Sequence, residues 1–409
     1  MLKKLLLSCL LVFSCLLQVN GLNVEAQENL TEKPFEEIIA EAKGSKVSFY
    51  GWGGDELRNN WLNSYYKDRL KEKYDIDFEY IGMDIEEILS KLANENQANK
   101  SQGSIDMIWI NGENFQSAQS QSLLFGPFLE SLPNYQAFYD PEDPENNYDF
   151  AYPIEGFEAP YGRAQLVFIK DAAKHPETIN NAQDLLEFAK KYPGQVTYPA
   201  LPDFTGSAFV RNIIYEFVDY EELMDSEMDK ETLKEKIEPA LSYLRDLNPY
   251  LWQEGQTYPS SSTELNNMFM DGELALYQTY GPFEIAASIM QGSYPETAES
   301  FVFEDGTIGN TNYIAIAANA PNKAGALVAI NEMLHWETMA SLFEEVKIIP
   351  PVSMNHLPEE GKEVYENLDA GPGTLDQDTL MDKRKPEMPA QLVPMIEEIW
   401  EEEVAGQTN

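Results

Sequence analysis

The spacing of apolar residues predicts a chain that alternates strands with helices. Ile105–Ile110 is a short and nearly continuous apolar run, which is typical of a strand buried on both faces of a parallel sheet. Val47–Tyr50 and Ile76–Ile81 are predicted to be the strands before it, and apolar stripes at helical spacing separate the three strands. These β-α-β-α-β units indicate a parallel sheet with right-handed crossovers.

A second set of elements begins near residue 162. Gly162–Lys170 is predicted to be a strand that leads into helix Ala182–Lys191, strand Gln195–Tyr198 and helix Ala208–Val218. The remaining predicted elements are helices Lys230–Leu247, Glu264–Met270, Glu284–Met290, Lys323–Val346 and Val393–Val404 and strands Leu274–Thr279 and Asn310–Ala317, with 369–388 as a loop. Because 409 residues exceed what one hydrophobic core usually fills, we expect two lobes.

Five stretches of the sequence resemble a known family. They are FYGWGG at 49–54, IDMIWINGENF with SQSLLFGPF at 105–128, PYGRAQLVFIKD at 160–171, PDFTGSAFVRN at 202–212 and GNTNYIAIAANAPNKAGA at 309–326. In this order they are similar to the extracellular substrate-binding subunits of ABC importers, and most similar to a poorly characterised group of type II binding proteins. The likeness spans almost the whole chain after residue 26.

The resemblance implies an α/β fold of the type II periplasmic-binding-protein kind, in which hinge strands join two lobes around a ligand cleft. It assigns residues 29–165 to the first lobe, 166–309 to the second lobe and 310–348 to a return segment of the first lobe. Residues 349–409 are assigned to the second lobe and its C-terminal helices. The implied protein is a monomer without a cofactor, which captures a small-molecule solute and delivers it to the permease and ATPase subunits of an importer.

Two alternatives remain open at this point. A secreted carbohydrate-active hydrolase needs only a pair of carboxylates, and with 70 acidic residues such pairs arise by chance. A receptor-coupled sensor would bind the same solute without transport. The sequence has no Gly-x-Ser-x-Gly, Walker A or His-Glu-x-x-His motif, and none of its three histidines neighbours a candidate nucleophile or metal ligand.

The formal net charge of −42 disfavours nucleic acid and anionic membranes as partners. We interpret it as a solvated acidic coat of the kind that halophiles carry rather than as a site for cations. The acid-rich loop Asp140–Tyr148 lacks the order of residues of a calcium loop and is predicted to be solvated.

Residues 1–26 are predicted to be a signal peptide, with Lys3 and Lys4 before a short apolar segment and cleavage after Ala26. The alternative is lipid attachment at Cys15. Both cysteines of the chain lie within this segment, so disulfides are excluded from the mature protein.

The candidate ligand-binding residues follow the predicted strand ends and helix starts, which face the crevice in open α/β sheets. From the first lobe they are Trp52, Gly53, Gly54, Asn111, Glu113 and Asn114. From the second lobe they are Asp203, Phe204, Thr205, Gly206, Ser207, Tyr280 and Phe283, and beside the hinge they are Tyr161, Asn310, Asn312 and Tyr313. Arg163 is the one cation assigned near these corners, and the helix N-termini are expected to be free for an anion. We therefore expect a neutral or cationic organic solute, such as a ring-bearing amine resembling thiamine, with a sugar as the next choice, and no metal.

Overall fold

The computed structural model describes residues 30–224 and 228–405. The predicted signal peptide and Cys15 lie outside these residues. Within the described part, the buried apolar residues form two main cores. The first core is built from 30–161 and 313–346, and the second from 164–308 and 388–404. The expected two-lobed α/β fold is therefore confirmed.

The elements are numbered here in chain order. The first lobe begins with α1 Phe35–Ala42, β1 Lys46–Gly51, α2 Glu56–Trp61, α3 Lys67–Tyr74, β2 Asp77–Gly82, α4 Ile85–Gln97, β3 Met107–Ile110, α5 Gly112–Ser120, β4 Leu124–Phe125, α6 Pro133–Phe138, β5 Tyr148–Asp149, β6 Tyr152–Pro153 and β7 Glu158–Gln165. The second lobe continues with β8 Val167–Asp171, α7 Ala182–Lys191, α8 Phe204–Ile214, α9 Lys230–Leu247, α10 Ser262–Met270, β9 Leu276–Thr279, α11 Glu284–Met290 and β10 Ala298–Phe301. The last elements are β11 Thr307–Ala317, α12 Lys323–Met333, α13 Trp336–Val346, α14 Glu359–Glu366, α15 Gln377–Asp382, β12 Arg384–Lys385 and α16 Leu392–Glu403.

The main sheet has the strand order β12-β11-β3-β1-β2, with β4 and β7 also paired to β11. Strand β1 pairs in parallel with β2 and β3, as the alternation of strands and helices predicted. The second lobe has a smaller antiparallel sheet of order β10-β8-β9. Strands β1 and β3 run in the same direction, so the segments that follow them, 52–54 and 111–114, lie at the same end of the sheet.

Strands β7 and β11 cross between the lobes as an antiparallel pair, from Gly309 opposite Gln165 to Ala315 opposite Glu158. On its other edge, β11 pairs with β12 at Thr307 and with β3 from Tyr313 onward. Strand β11 is thus shared by the two lobes, and residues 309–312 cross between them.

Apart from the strand expected at Gly162–Lys170, which is divided at Leu166 into β7 and β8, four predicted elements differ from the structure. The helix expected at Lys323–Val346 is two helices, because the side chain of His335 accepts the backbone N–H of Glu337 and starts α13 anew. Helix α8 starts four residues earlier than predicted, since Asp203 caps it. Two short elements, α15 and β12, lie within the predicted loop 369–388.

The fourth difference is the strand expected at Gln195–Tyr198, which does not form. The carbonyl of Gln195 accepts the N–H of Ala275, but the carbonyl of Val196 turns away to the N–H of Trp252. Strand β9 therefore has one full neighbour instead of two. Helix α14 also departs from the assignment of 349–409 to the second lobe, because the hydroxyl of Tyr365 donates to the carbonyl of Trp336 and the helix packs on the first core.

The acid-rich loop before β5 is not simply solvated. Glu145 accepts hydrogen bonds of 2.7 Å from two guanidinium nitrogens of Arg384 and forms an ion pair with Arg163, which also binds Asp143. Arg384 also donates to the carbonyl of Asn310 on β11. Burial opposes ionisation of Glu145, but the two arginines outweigh it and lower the pKa of Glu145 below its ordinary value. The carboxylates of the loop thus stabilise the crossing strands by forming ion pairs with Arg163 and Arg384.

Replacing Glu145 with Gln should lower the free energy of unfolding by about 3 kcal/mol in urea denaturation at pH 7, because both arginines lose their shared anion. The difference from wild type should persist above pH ~4.3, the ordinary pKa of Glu, and shrink as pH falls through the lowered pKa, where the native carboxylate is itself protonated. Glu142→Gln on the exposed part of the same loop is the control. Equal losses in the two variants would contradict the assignment.

Candidate functional site

The corner after β1 presents an aromatic surface. The side chain of Trp52 is 47% exposed, and its indole lies over Gly54, where any Cβ would collide with the ring. The guanidinium of Arg58 lies 5.5 Å from the ring centroid and donates to the carbonyl of Trp52 at 2.7 Å. Gly53 is exposed beside it. A rigid, solvent-facing indole at a strand end is suited to stacking on a ring or a cation.

The corner after β3 is the N-terminus of α5. Asn111 is 3% exposed, and its Nδ2 has no hydrogen-bond partner among the described residues. The N–H of Gly112 donates to the carboxylate of buried Asp149. Glu113 and Asn114 are half-buried; burial raises the pKa of Glu113, and the charge of Arg211 in the second lobe opposes that rise. Glu113 therefore faces the other lobe.

The opposing corner of the second lobe is the N-terminus of α8. The carboxylate of Asp203 accepts the N–H groups of Thr205 and Gly206 at 2.9 and 3.1 Å. Thr205 and Gly206 are buried, whereas Phe204 is 39% exposed and meets the ring of Tyr280 edge-on at 5.0 Å. Phe204 thus offers an aromatic surface on the lobe opposite Trp52.

Behind Phe204 lies a buried ion pair. Arg211 is 1% exposed and makes two 3.0 Å hydrogen bonds to Glu387. The hydroxyl of Tyr280 donates to Glu387 at 2.8 Å, while Ser207 accepts from Arg211 and donates to Glu397. Ser207 and Tyr280, both predicted as ligand-binding residues, have their hydroxyls committed to this network.

The hinge residues have different surroundings. The Oδ1 of Asn312 accepts the indole N–H of Trp109 at 3.0 Å, and the hydroxyl of Tyr313 donates to the carbonyl groups of Glu145 and Tyr148. Asn310 is 5% exposed, and neither its Oδ1 nor its Nδ2 has a partner in the described part of the chain. Of the three predicted residues on β11, only Asn310 has a side-chain amide in which neither atom is hydrogen-bonded within the described part of the chain.

Two further predicted residues are buried. Tyr161 is 2% exposed and lies near the guanidinium of Arg58. Phe283 is fully buried, and its ring meets that of Phe343 from the first lobe edge-on at 5.3 Å. Phe283 therefore packs in an apolar cluster between the lobes.

An exposed carboxylate faces the Trp52 corner from the second lobe. Glu284 accepts the hydroxyl of Thr279 at 2.8 Å and is close enough to Asp55 and Arg58 of the first lobe for their charges to act on it. Surrounding protein raises the pKa of Glu284 to about 7, although the side chain still reaches solvent. Glu284 and Glu113 are thus acidic groups of opposite lobes, each facing the other lobe.

Sequence reasoning missed three charged residues of this site, namely Arg58, Arg211 and Glu284, and Arg163 is not the one cation near the corners. Arg58 stands one turn into the helix after GWGGD, a spacing that could have indicated it. Arg211 carried no comparable signal, because its partner Glu387 lies 176 residues away along the chain. The helix N-termini are also not free, since Asp149 and Asp203 already accept their N–H groups. Among the described residues, no three His, Cys, Asp or Glu side chains are grouped to hold a metal ion.

A model of the family described as bacterial extracellular solute-binding protein matches residues 66–363, well over half of this chain. Protein YnjB of Escherichia coli strain K12 is 36% identical over 302 residues, which cover 73% of this chain and 77% of YnjB. The chain belongs to the bacterial extracellular solute-binding proteins. The resemblance drawn from the sequence is thereby confirmed.

Solved structures show the same fold. An ABC transporter structure from Clostridium perfringens has a TM-score of 0.61 and 20% identity, covering 89% of this chain and 100% of that one. The spermidine/putrescine ABC transporter substrate-binding protein PotD from Streptococcus pneumoniae has a TM-score of 0.59 and 15% identity, covering 88% and 98%. The fold of this solute-binding protein is that of the type II periplasmic binding proteins.

Family membership fixes the general role of this solute-binding protein. It is an exported protein that binds a solute, and its family is one of binding proteins rather than enzymes. In 30–224 and 228–405, no helix has both the length and the apolarity needed to cross a membrane.

The carboxyl group of Glu284 should titrate near pH 7 in carbon-detected NMR, with the resonance assigned by its loss in Glu284→Gln. Because the folded pKa is raised, the contribution of Glu284 to stability is present below pH ~4.3 and is lost as pH rises through 7. The stability of the variant should therefore fall less than that of wild type between pH 5 and 8. A midpoint near the ordinary value for Glu would contradict the cleft position described for this side chain.

Proposed function

We propose that this protein captures a small, neutral or cationic, ring-bearing organic solute between its lobes and delivers it to the permease when the lobes close. Closure would be favoured by contacts that the solute makes with both lobes at once, with rotation absorbed by the crossing strands. The division of the chain into lobes at 165, 309 and 348 and the monomeric state belong to this proposal.

The exposure of two aromatic side chains on opposite lobes carries the proposal. Trp52 and Phe204 stand at the corner after β1 and at the start of α8, with 47% and 39% of their surfaces exposed. Large aromatic groups are usually buried, because each removes a large apolar area from water. A flat solute held between the lobes would cover both faces.

Charge favours a neutral or cationic solute over an anion. Arg211 is paired with Glu387, whereas Arg58 has no ion pair among the described residues and donates to the carbonyl of Trp52. Glu113 and Glu284 have no cationic side chain bonded to them among the described residues. An anion would therefore be desolvated beside carboxylates, with Arg58 as the one cation near the site that is not already paired with a carboxylate among the described residues. The described fold neighbour named for spermidine and putrescine is consistent with an amine.

A melting screen over amines, vitamins, sugars and oxyanions tests the proposal. A solute present at 100 times its Kd should add about 2.7 kcal/mol to the free energy of unfolding. We expect the shift to come from ring-bearing amines or related neutral rings. A shift with sulfate-like anions alone would overturn the assigned ligand class and leave the fold intact.

Trp52→Ala should abolish the shift given by the solute found in that screen while leaving the melting temperature of the free protein nearly unchanged, because the indole is largely exposed. Met290→Ala, which removes a side chain that is 76% exposed on α11, is the matched control and should retain the full shift. Large destabilisation of the free protein by Trp52→Ala would instead identify Trp52 as a core residue.

A further inference from the structure

Asn310 occupies the middle of the segment of β11 that crosses between the lobes. On one edge of β11, β12 pairs with it up to Ile308 and β3 pairs with it from Tyr313 onward. No strand therefore covers residues 309–312 on that edge. On the other edge Asn310 stands opposite Ala164, and Asn312 opposite Gly162. The side chain of Asn310 thus has small neighbours across the ladder.

The amide of Asn310 is buried without a partner. It is 5% exposed, and both Nδ2 and Oδ1 have no hydrogen-bond partner among residues 30–224 and 228–405. Leaving such a group unpaired forfeits the hydrogen bonds it made to water, so buried amides normally have partners. Asn331 illustrates the usual case, because it is also 5% exposed but its Oδ1 accepts the backbone N–H of Asn134 at 2.9 Å.

Alternation along β11 places Asn310 on the same face as Asn312, whose Oδ1 accepts from Trp109 of β3. Trp109 packs against Gly51, the residue before Trp52. Asn111, two residues after Trp109, also keeps an unpartnered Nδ2 while 97% buried. The two uncommitted amides therefore lie on the face of the sheet that also carries Asn312 and Trp109.

We infer that Asn310 recognises a solute edge carrying one hydrogen-bond donor beside one acceptor, as in an aminopyrimidine or a lactam, and that Asn111 adds a donor to a further acceptor. The inference rests on the proposed function and specifies the chemistry of the solute. A carboxamide presents an N–H donor and a carbonyl acceptor side by side in one plane. A planar solute edge that places an acceptor against this donor and a donor against this acceptor therefore satisfies both groups. An ammonium group only donates and would leave Nδ2 of Asn310 unpaired.

Two isomeric probes test this edge recognition on the full-length mature protein. In 4-aminopyrimidine the amino group is adjacent to a ring nitrogen, whereas in 5-aminopyrimidine it is not. We expect 4-aminopyrimidine to raise the melting temperature and to bind at least tenfold more tightly than 5-aminopyrimidine in calorimetry. Equal binding of the isomers, no binding of either, or a shift with glucose alone would overturn the inference.

A substitution separates recognition from structure. Asn310→Leu removes the amide at nearly constant volume, so it should weaken 4-aminopyrimidine at least tenfold while leaving the melting temperature of the free protein unchanged or higher. Asn331→Leu, the matched control, should lower that temperature because it removes the Oδ1 that accepts the backbone N–H of Asn134. Retained affinity in Asn310→Leu would overturn the inference. If a ring-bearing amine raises the melting temperature of both wild type and Asn310→Leu, the proposed function is supported. The same result would show that Asn310 does not recognise the solute.

Discussion

The antiparallel pairing of β7 with β11 is the constraint on which the rest of this protein depends. Seven residues of β11, from Gly309 to Ala315, are held in register across the boundary between two separate cores. An irregularity between Asn312 and Tyr313 shifts the register at the point where Tyr161 lies near Arg58. Both lobes therefore take their positions from one hydrogen-bonded ladder.

Buried charge reinforces this ladder in a way that apolar packing alone would not. Glu145 is bound by Arg384 and accompanied by Arg163, and Arg384 also binds the backbone of both crossing strands. Arginine is suited to this role because its planar group donates in several fixed directions. Taking one member away would leave an unpaired charge, so the set specifies one arrangement of the crossing region.

Sequence patterns were sufficient for the parts of the structure that depend on local spacing. The apolar run at Ile105–Ile110 and the stripes around it predicted β1, β2 and β3 and their parallel order, and helix α11 was predicted to the residue. The break at His335 was not predictable, because apolar spacing continues across it and only the cap interrupts the helix. The pairing of Arg211 with Glu387 depends on tertiary contact between distant segments, to which no local pattern responds. The individual ligand-binding residues stay predictions, although the structure shows which of their polar groups are already engaged.

The occupation of two helix N-termini by the protein's own carboxylates has a consequence for selectivity in the environment of the cell. Asp149 takes the N–H of Gly112 and Asp203 those of Thr205 and Gly206, so N–H groups that could otherwise seat a phosphate are already bound by the protein's own carboxyl groups. A phosphate ester of the solute would find these N–H groups already bound, whereas its parent alcohol would not depend on them.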